Sequence, residues 1–285
     1  MALRIRPAIV LFGDSITQQG FGMDGNIGWA SLLSSDYSRR ADVLNRGFSG
    51  YNTRMGLDLL PSILSPAIAT TTKNNNGGGS GILFATVFFG ANDASLPGER
   101  QHVPVEEYGR NLEKIISHIR YVSMSLFFAR DDQQSKIQCL ILLAVNLSVA
   151  TKRETASSSG DKDELPIILI TPPPFNAAAW REFRKLTVDG RANEVAKSYG
   201  DKVKEVGSTN NCKVLDSWDA LEGGTSPEVY GKYLSDGLHL NAKGNEKLYN
   251  ALLELIKREL PDLAPMEEGA TTGVPLEGKL WEELC

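Results

Sequence analysis

The stretch Ala8-Ile-Val-Leu-Phe-Gly-Asp-Ser-Ile-Thr17 decides the fold of this chain. The apolar run from Ala8 to Phe12 is too short for a signal h-region or a helix, and its unbroken apolar character fits a strand buried on both faces. Gly13-Asp14-Ser15 then turns the chain at the strand's C-terminal end. Outward from this point, β-rich runs alternate with helical patterns, which argues a parallel sheet with crossover helices. Asp42 to Arg46, Ile82 to Phe89, Pro166 to Thr171 and Cys212 to Asp216 supply the further strands. Tyr108, Leu112, Ile115, Ile116 and Ile119 share one helical face, as do Leu248, Leu252, Leu255 and Ile256, and Pro261 stops that last helix. The expected architecture is α/β, a three-layer α/β/α arrangement around a five-stranded parallel, flavodoxin-like sheet.

The chain has 285 residues, 41% of them hydrophobic and 23% charged, which is globular rather than disordered or collagenous composition. Two stretches interrupt the alternation. Residues 70–81 (TTTKNNNGGGSG) are too hydrophilic to pack and read as a flexible surface loop. Residues 121–164 separate a helix from its strand by far more than an ordinary connection, and read as an insertion of uncertain order: a lid, an added element, or sequence foreign to the working protein. With both set aside, one compact α/β domain over residues 1–260 is expected, followed by a tail, 261–285, that wraps the surface.

Composition narrows the function as well. Thirty Lys and Arg against 35 Asp and Glu give a net charge of −5, and no basic stretch is interleaved with aromatics, so nucleic acid is not an expected partner. The apolar run Ile137 to Val145 is about half of the ~20 residues a membrane span requires. Three scattered cysteines, with no CxxC pair, form neither a zinc framework nor a disulfide scaffold and suit a reduced, cytoplasmic setting. Association into a homo-oligomer stays open. Gly20-Phe-Gly-Met-Asp-Gly25 matches GxGxxG in letters, but it begins several residues after the strand ends, so dinucleotide binding is disfavoured. GxxxxGK[ST], HExxH and GxSxG are all missing.

Polar residues remain at the expected C-terminal ends of strands, where open parallel sheets place their sites. Ser15 follows the first strand, Gly50 lies in the loop after the second, Asn92 follows the third in Gly90-Ala-Asn-Asp93, and Asp236-Gly-Leu-His239 precedes the last helix. Each has an ordinary structural explanation when taken alone: an N-cap for Ser15, a turn for Asn92, a surface histidine for His239. Of the three histidines, His118 lies mid-helix, His102 follows the Pro-Gly-Glu-Arg loop, and His239 has an acid, Asp236, three residues earlier in a loop. A serine hydrolase needs a base for its hydroxyl and an acid to fix that base's tautomer, and this loop offers both. Asp14, Asp93, Asp236 and His239 could also be drawn as an oxygen-rich metal site, but their spacing fits no specific ligand signature.

Gly-Asp-Ser-Ile-Thr, Gly50, Gly-Ala-Asn-Asp and Asp-Gly-Leu-His, in that order, resemble the four blocks of the SGNH, or GDSL-type, hydrolase family. The wider wording, including Phe-Phe-Gly-Ala-Asn-Asp-Ala, Ile-Thr-Pro-Pro-Pro and Ser-Asp-Gly-Leu-His-Leu-Asn-Ala-Lys-Gly, is similar to its isoamyl acetate-hydrolysing esterase branch. The likeness covers roughly residues 7–120 and 165–260, and Ile16 stands where the family's nickname has Leu. The resemblance implies a serine esterase acting on small acyl, acetate-type esters through an acyl-enzyme. In it Ser15, His239 and Asp236 form the triad, and the Ser15 and Gly50 N–H groups with the Asn92 amide bind the oxyanion. It needs no metal or organic cofactor. Asp14 and Asp93 are expected to bond loop N–H groups. Pro174 and Phe175 of the rigid Pro172-Pro-Pro-Phe175 turn, with Trp180, are expected to wall the substrate pocket. The same machinery could serve an acyltransferase or a carbohydrate deacetylase, and a fold disabled by the 121–164 insertion would leave only a binding module.

Overall fold

The computed structural model describes residues 6–23, 25–64, 81–128 and 164–277, without the side chains of 124–128. The elements run β1 (Ala8–Gly13), α1 (Ser15–Gln18), β2 (Gly22–Met23), β3 (Asn26–Ile27), α2 (Trp29–Asp36), β4 (Asp42–Gly47), α3 (Thr53–Ile63), β5 (Ile82–Phe88) and α4 (Val105–Phe128). They continue with β6 (Ile167–Ile170), α5 (Ala177–Arg184), α6 (Asn193–Thr209), β7 (Lys213–Leu215), α7 (Ser217–Ala220), α8 (Pro227–Tyr230) and α9 (Ala242–Glu259). The five-stranded sheet has the order β4-β1-β5-β6-β7, and all of its pairings are parallel. This is the expected flavodoxin-like α/β sheet, with each strand within a residue or so of its expected bounds.

Because β1 lies between β4 and β5, both of its faces are covered, and every residue from Ala8 to Gly13 is buried. Successive side chains point to opposite faces of a strand. Ile9 and Leu11 therefore pack with Trp29 and Leu33 of α2 and Leu248 and Leu252 of α9, whereas Val10 and Phe12 pack with Leu60 of α3, Leu112 and Ile115 of α4 and Val203 of α6. These two apolar cores are the outer and inner contacts of three layers. Fully burying one such aliphatic side chain contributes roughly 1.5–3 kcal/mol, so the doubly covered strand that carries Gly13 to Ser15 is a rigid mount.

The lettered GxGxxG match falls on a 3-10 turn (Gln19–Phe21) and the antiparallel pair β2–β3, not on a strand-to-helix turn, which removes the geometry a dinucleotide would need. The 70–81 loop lies outside the described residues except for Gly81, whose carbonyl accepts from the Ala8 N–H. Helix α4 runs on through Phe128, so the start of the 121–164 stretch continues a helix, and residues 129–163 lie outside the described residues. As far as Glu277, the tail docks on the turn between α2 and β4. Tyr37 Oη donates to the Leu263 carbonyl at 2.6 Å, and Arg39 donates twice to the Glu277 carbonyl. No helix among the described residues is long and apolar enough to cross a membrane.

Candidate active site

Where β1 ends, Asp14 caps the first turn of α1 by accepting from the Ile16 N–H at 2.9 Å, which stands Ser15 at the C-terminal edge of the sheet. The residue that meets Ser15 comes from 224 positions further along: His239 Nε2 lies 2.9 Å from Ser15 Oγ. On the other side of the imidazole, Nδ1 lies 2.6 Å from Asp236 Oδ2. The remaining Asp236 oxygen accepts the N–H groups of Leu238 at 2.9 Å and His239 at 2.8 Å, so the carboxylate holds both the ring and the backbone of its own loop. Burial alone pushes the Asp236 carboxyl up, but the His239 ring and these N–H donors outweigh it and hold the group below the usual carboxylate range. An acid that stays ionised can fix the imidazole with its proton on Nδ1 and its lone pair toward Ser15.

The loop owes its shape to the residues packed around it. Gly237 has φ +96, and a Cβ there would stand 2.5 Å from the Asn176 carbonyl oxygen and 2.6 Å from the Trp180 nitrogen. Asn176, the N-cap of α5, returns a bond from its own N–H to the Gly237 carbonyl at 2.8 Å. Asn241 caps α9 immediately beyond and donates to the carbonyls of Lys232 and Leu234. The acid and base are thus clamped between the starts of two helices.

Two of the candidate oxyanion donors come from loops tied to the same place. Phe48 N–H donates to the Gly13 carbonyl at 2.9 Å and Ser49 N–H to Gln18 Oε1 at 2.7 Å, which docks the loop after β4 onto the turn after β1. Gly50 in that loop has φ +81, while a Cβ would meet only Gln101 Nε2 at 3.6 Å. Glycine is needed there for its backbone conformation more than for space. Asn92 is 3% exposed, and its Nδ2 donates to the Tyr51 carbonyl at 2.9 Å, bridging the loops after β4 and β5. One Nδ2 hydrogen is thereby engaged and the other is left for a ligand.

Asp93 is fully buried, and one of its oxygens accepts both the N–H of Thr53 at 2.9 Å and the Thr53 hydroxyl at 2.5 Å, fastening the start of α3 to the end of β5. Burial pushes the Asp93 carboxyl up to about 6 against the pull of these donors, and pushes that of Asp14 up to about 7 against the pull of the Ile16 N–H. Each keeps one oxygen without a hydrogen-bond partner. Both residues therefore bond loop N–H groups, as expected of them.

The expected pocket wall differs in its makeup. Pro174 is buried, and Phe175 is 3% exposed and belongs to the core, where its carbonyl accepts from Tyr230 Oη. Both side chains are buried and neither presents open surface to a ligand. Trp180 takes the outer position: its ring centre is 6.3 Å from that of Phe175 and 6.2 Å from that of His239. A cleft of about 710 Å³ opens beside Gly50, lined by Tyr51, Met55, Leu59, Gln101 and Arg184 among others. Sequence patterning pointed to none of these residues except Gly50. Arg191, which donates to Asn92, was likewise outside every block.

A hydroxyl, an imidazole and a carboxylate in line at the C-terminal edge of a parallel sheet are the equipment of an acyl-transfer hydrolase. Comparison with known proteins gives that class its family. Residues 11–247 match the GDSL-like Lipase/Acylhydrolase family, and the chain belongs to it. It is 34% identical over 263 residues to the isoamyl acetate-hydrolyzing esterase 1 homolog of Mus musculus, covering 90% of this chain and 84% of that protein. It is also 32% identical to a GDSL esterase/lipase of Arabidopsis thaliana, over 89% of this chain and 86% of the relative. Among solved structures, a lipase/acylhydrolase from Enterococcus faecalis superposes with a TM-score of 0.56 at 24% identity, covering 92% of this chain and 99% of that one. A carbohydrate acetylesterase family member from Sinorhizobium meliloti gives 0.52 at 17% identity, with 90% and 99% covered. These two share the fold. The protein is a carboxylic ester hydrolase of the GDSL type.

Proposed function

We propose that the protein cleaves small acyl esters, acetate esters foremost, through an acyl-enzyme on Ser15. The observation that carries this reading is the unbroken line from Ser15 Oγ through His239 to Asp236, at 2.9 and 2.6 Å. His239 Nε2 takes the Ser15 proton as Oγ attacks the ester carbonyl, and Asp236 stabilises the imidazolium that forms. The carbonyl oxygen becomes an oxyanion within reach of the Ser15 and Gly50 N–H groups and the second Nδ2 hydrogen of Asn92. Collapse expels the alcohol, which receives its proton from His239. Water then repeats the sequence on the acyl-enzyme and releases the acid and free Ser15. All of these groups belong to the chain itself.

The likeness to isoamyl acetate-hydrolyzing relatives supports a small acyl group. The cleft beside Gly50 favours one second reading, in which the alcohol part is larger and polar, such as an acetylated sugar, because charged Asp58, Glu99, Arg100 and Arg184 share its walls with Tyr51 and Gln101. Labelling with a fluorophosphonate, read together with p-nitrophenyl acetate hydrolysis, tests the mechanism. Wild type should be labelled and active, and Ser15→Ala neither. Full activity in Ser15→Ala, or an inert wild type, would overturn it. Comparing isoamyl acetate with a panel of acetylated sugars separates the two substrate readings.

A further inference from the structure

Arg191 stands in the short segment ahead of α6, 99 residues after Asn92, in none of the motif blocks. It is 8% exposed. The segment is pinned in place by an antiparallel bridge between Arg191 and Ser95 and by the Leu96 N–H donating to the Gly190 carbonyl at 2.8 Å. From there the guanidinium reaches under the candidate oxyanion donors. Nη1 donates to the Ala91 carbonyl, and Nη2 donates to Asn92 Oδ1 at 3.1 Å and to Gln101 Oε1 at 2.7 Å. Gln101 in turn donates from Nε2 to the Gly50 carbonyl at 2.7 Å. One side chain is therefore coupled directly to Asn92 and, through Gln101, to Gly50.

The partners are chemically unusual. A buried guanidinium is ordinarily matched by a carboxylate, because desolvating a charge is costly. Here its acceptors, the Ala91 carbonyl, Asn92 Oδ1 and Gln101 Oε1, are neutral oxygens, and among the described residues no carboxylate forms an ion pair with Arg191. Burial lowers the guanidinium pKa to about 10, with Asp14, Glu99 and Asp93 opposing the shift from a distance, so the group stays charged at neutral pH. A positive charge with no carboxylate in direct contact, beside the donors, is placed to interact with negative charge that appears only during reaction.

The direction of the Asn92 amide makes the contact consequential. An amide can sit either way round, and its two ends are chemically opposite. With Oδ1 held by Arg191, Nδ2 must face Tyr51 and the reacting carbonyl. Turned over, the same side chain would aim lone pairs at a forming oxyanion. We propose that Arg191 is the positioning residue of the oxyanion hole: it fixes the Asn92 amide donor-side forward, anchors Gly50 through Gln101, and backs both with a positive charge. This rests on the reading of Ser15 as nucleophile.

The test uses the full chain carrying Arg191→Met, Arg191→Lys, Asn92→Ala and the Arg191→Met/Asn92→Ala pair, with thermal unfolding as the folding control. With p-nitrophenyl acetate, Arg191→Met should lose on the order of 10- to 100-fold in kcat while KM moves less than about threefold, as expected for an interaction made only in the transition state. Inhibition by a trifluoromethyl ketone, which forms a tetrahedral oxyanion on the serine, should weaken in parallel. Arg191→Lys should fall between, since one ammonium cannot reproduce the planar fork. The pair should be little worse than Asn92→Ala alone, because Arg191 acts largely through Asn92. Wild-type kcat in either folded variant, an unweakened ketone, or fully additive losses would overturn the assignment. If Arg191→Met does not fold, Arg191→Lys and Gln101→Leu are read by the same criteria. Ser15→Ala in the same assay keeps the two readings apart: if it remains active, the nucleophile reading has failed, whatever Arg191 shows.

Discussion

The ring of Trp180 lies 6.2 Å from that of His239, centre to centre, and its backbone nitrogen faces Gly237 so closely that a Cβ there would be 2.6 Å away. One residue of α5 therefore touches the catalytic loop by both its ring and its main chain. Removing the indole opens space beside the imidazole and leaves Arg184, whose guanidinium sits 5.3 Å above the ring, without its platform. Trp180→Ala should lower kcat/KM for p-nitrophenyl esters by about tenfold, roughly the worth of one lost packing contact around the base. Trp180→Phe, which keeps an aromatic face, should recover most of it. Steady-state kinetics on the two variants check this.

The Asp236→Asn variant separates charge from shape. The amide oxygen can still accept from Leu238 and His239, which leaves the amide NH2 facing His239 Nδ1. The imidazole must then present a lone pair there and carry its proton on Nε2, the atom that should accept from Ser15. The expected loss in kcat is roughly 10³- to 10⁴-fold, the cost of a wrong tautomer in a triad. Wild-type stability should also fall in acid. The folded-state pKa of Asp236 is depressed, so the stability it contributes is present above about pH 4 and is lost as pH drops through that lowered value. Urea unfolding between pH 5 and 3 should show a shallower loss in Asp236→Asn.

Asp14 titrates with the opposite sign. Its folded pKa is raised from 3.8 to about 7, so between those values the native state holds a proton that the unfolded chain has released. Stability therefore declines as pH rises through that window, at up to roughly 1.4 kcal/mol per pH unit from this one group. Asp14→Asn keeps the oxygen that caps Ile16 and removes the ionisation. Relative to wild type, this variant should gain stability from pH 5 to about 7 and level off above it in denaturant titrations. A constant difference across that range would contradict the buried, protonated state.

Gly50→Ala probes the left-handed backbone in the loop after β4. A side chain at φ +81 costs about 1–2 kcal/mol, and the loop can relieve it only by rotating the Gly50 N–H away from the site. Turnover should fall on the order of 10²- to 10³-fold with only a small drop in melting temperature, the range in which losing one oxyanion donor falls. Because a Cβ would find open space apart from Gln101, a large loss of folded protein is not expected.

The strands were legible because β1, β5 and β6 are apolar runs closed by Gly, Asn or Pro, and burial on both faces demands that composition. The line of contacts from Ser15 through His239 to Asp236 was legible because these residues lie within short blocks at strand and helix ends. What escaped has a common physical cause. The pair β2–β3 is two residues a side, too short for alternation to show. Helix α5 (Ala177–Arg184) follows directly on a proline run that read as a rigid turn, so Trp180 was expected beside Phe175 in one wall, and the helix that separates their positions was not. Arg191 and Gln101 act at long range, on partners 99 and 51 residues away, and nothing in local composition distinguishes them from solvated polar residues.

The separation between Ser15 and His239 bears on how the activity arises during synthesis. The hydroxyl is made on the strand that becomes the middle of one half of the sheet, while the acid and base arrive together in a single turn 224 positions later, just ahead of α9. On the proposed mechanism, a chain cut short before His239 would carry Ser15 without its base, and the serine would gain its reactivity only once α9 has closed against α2 and β1.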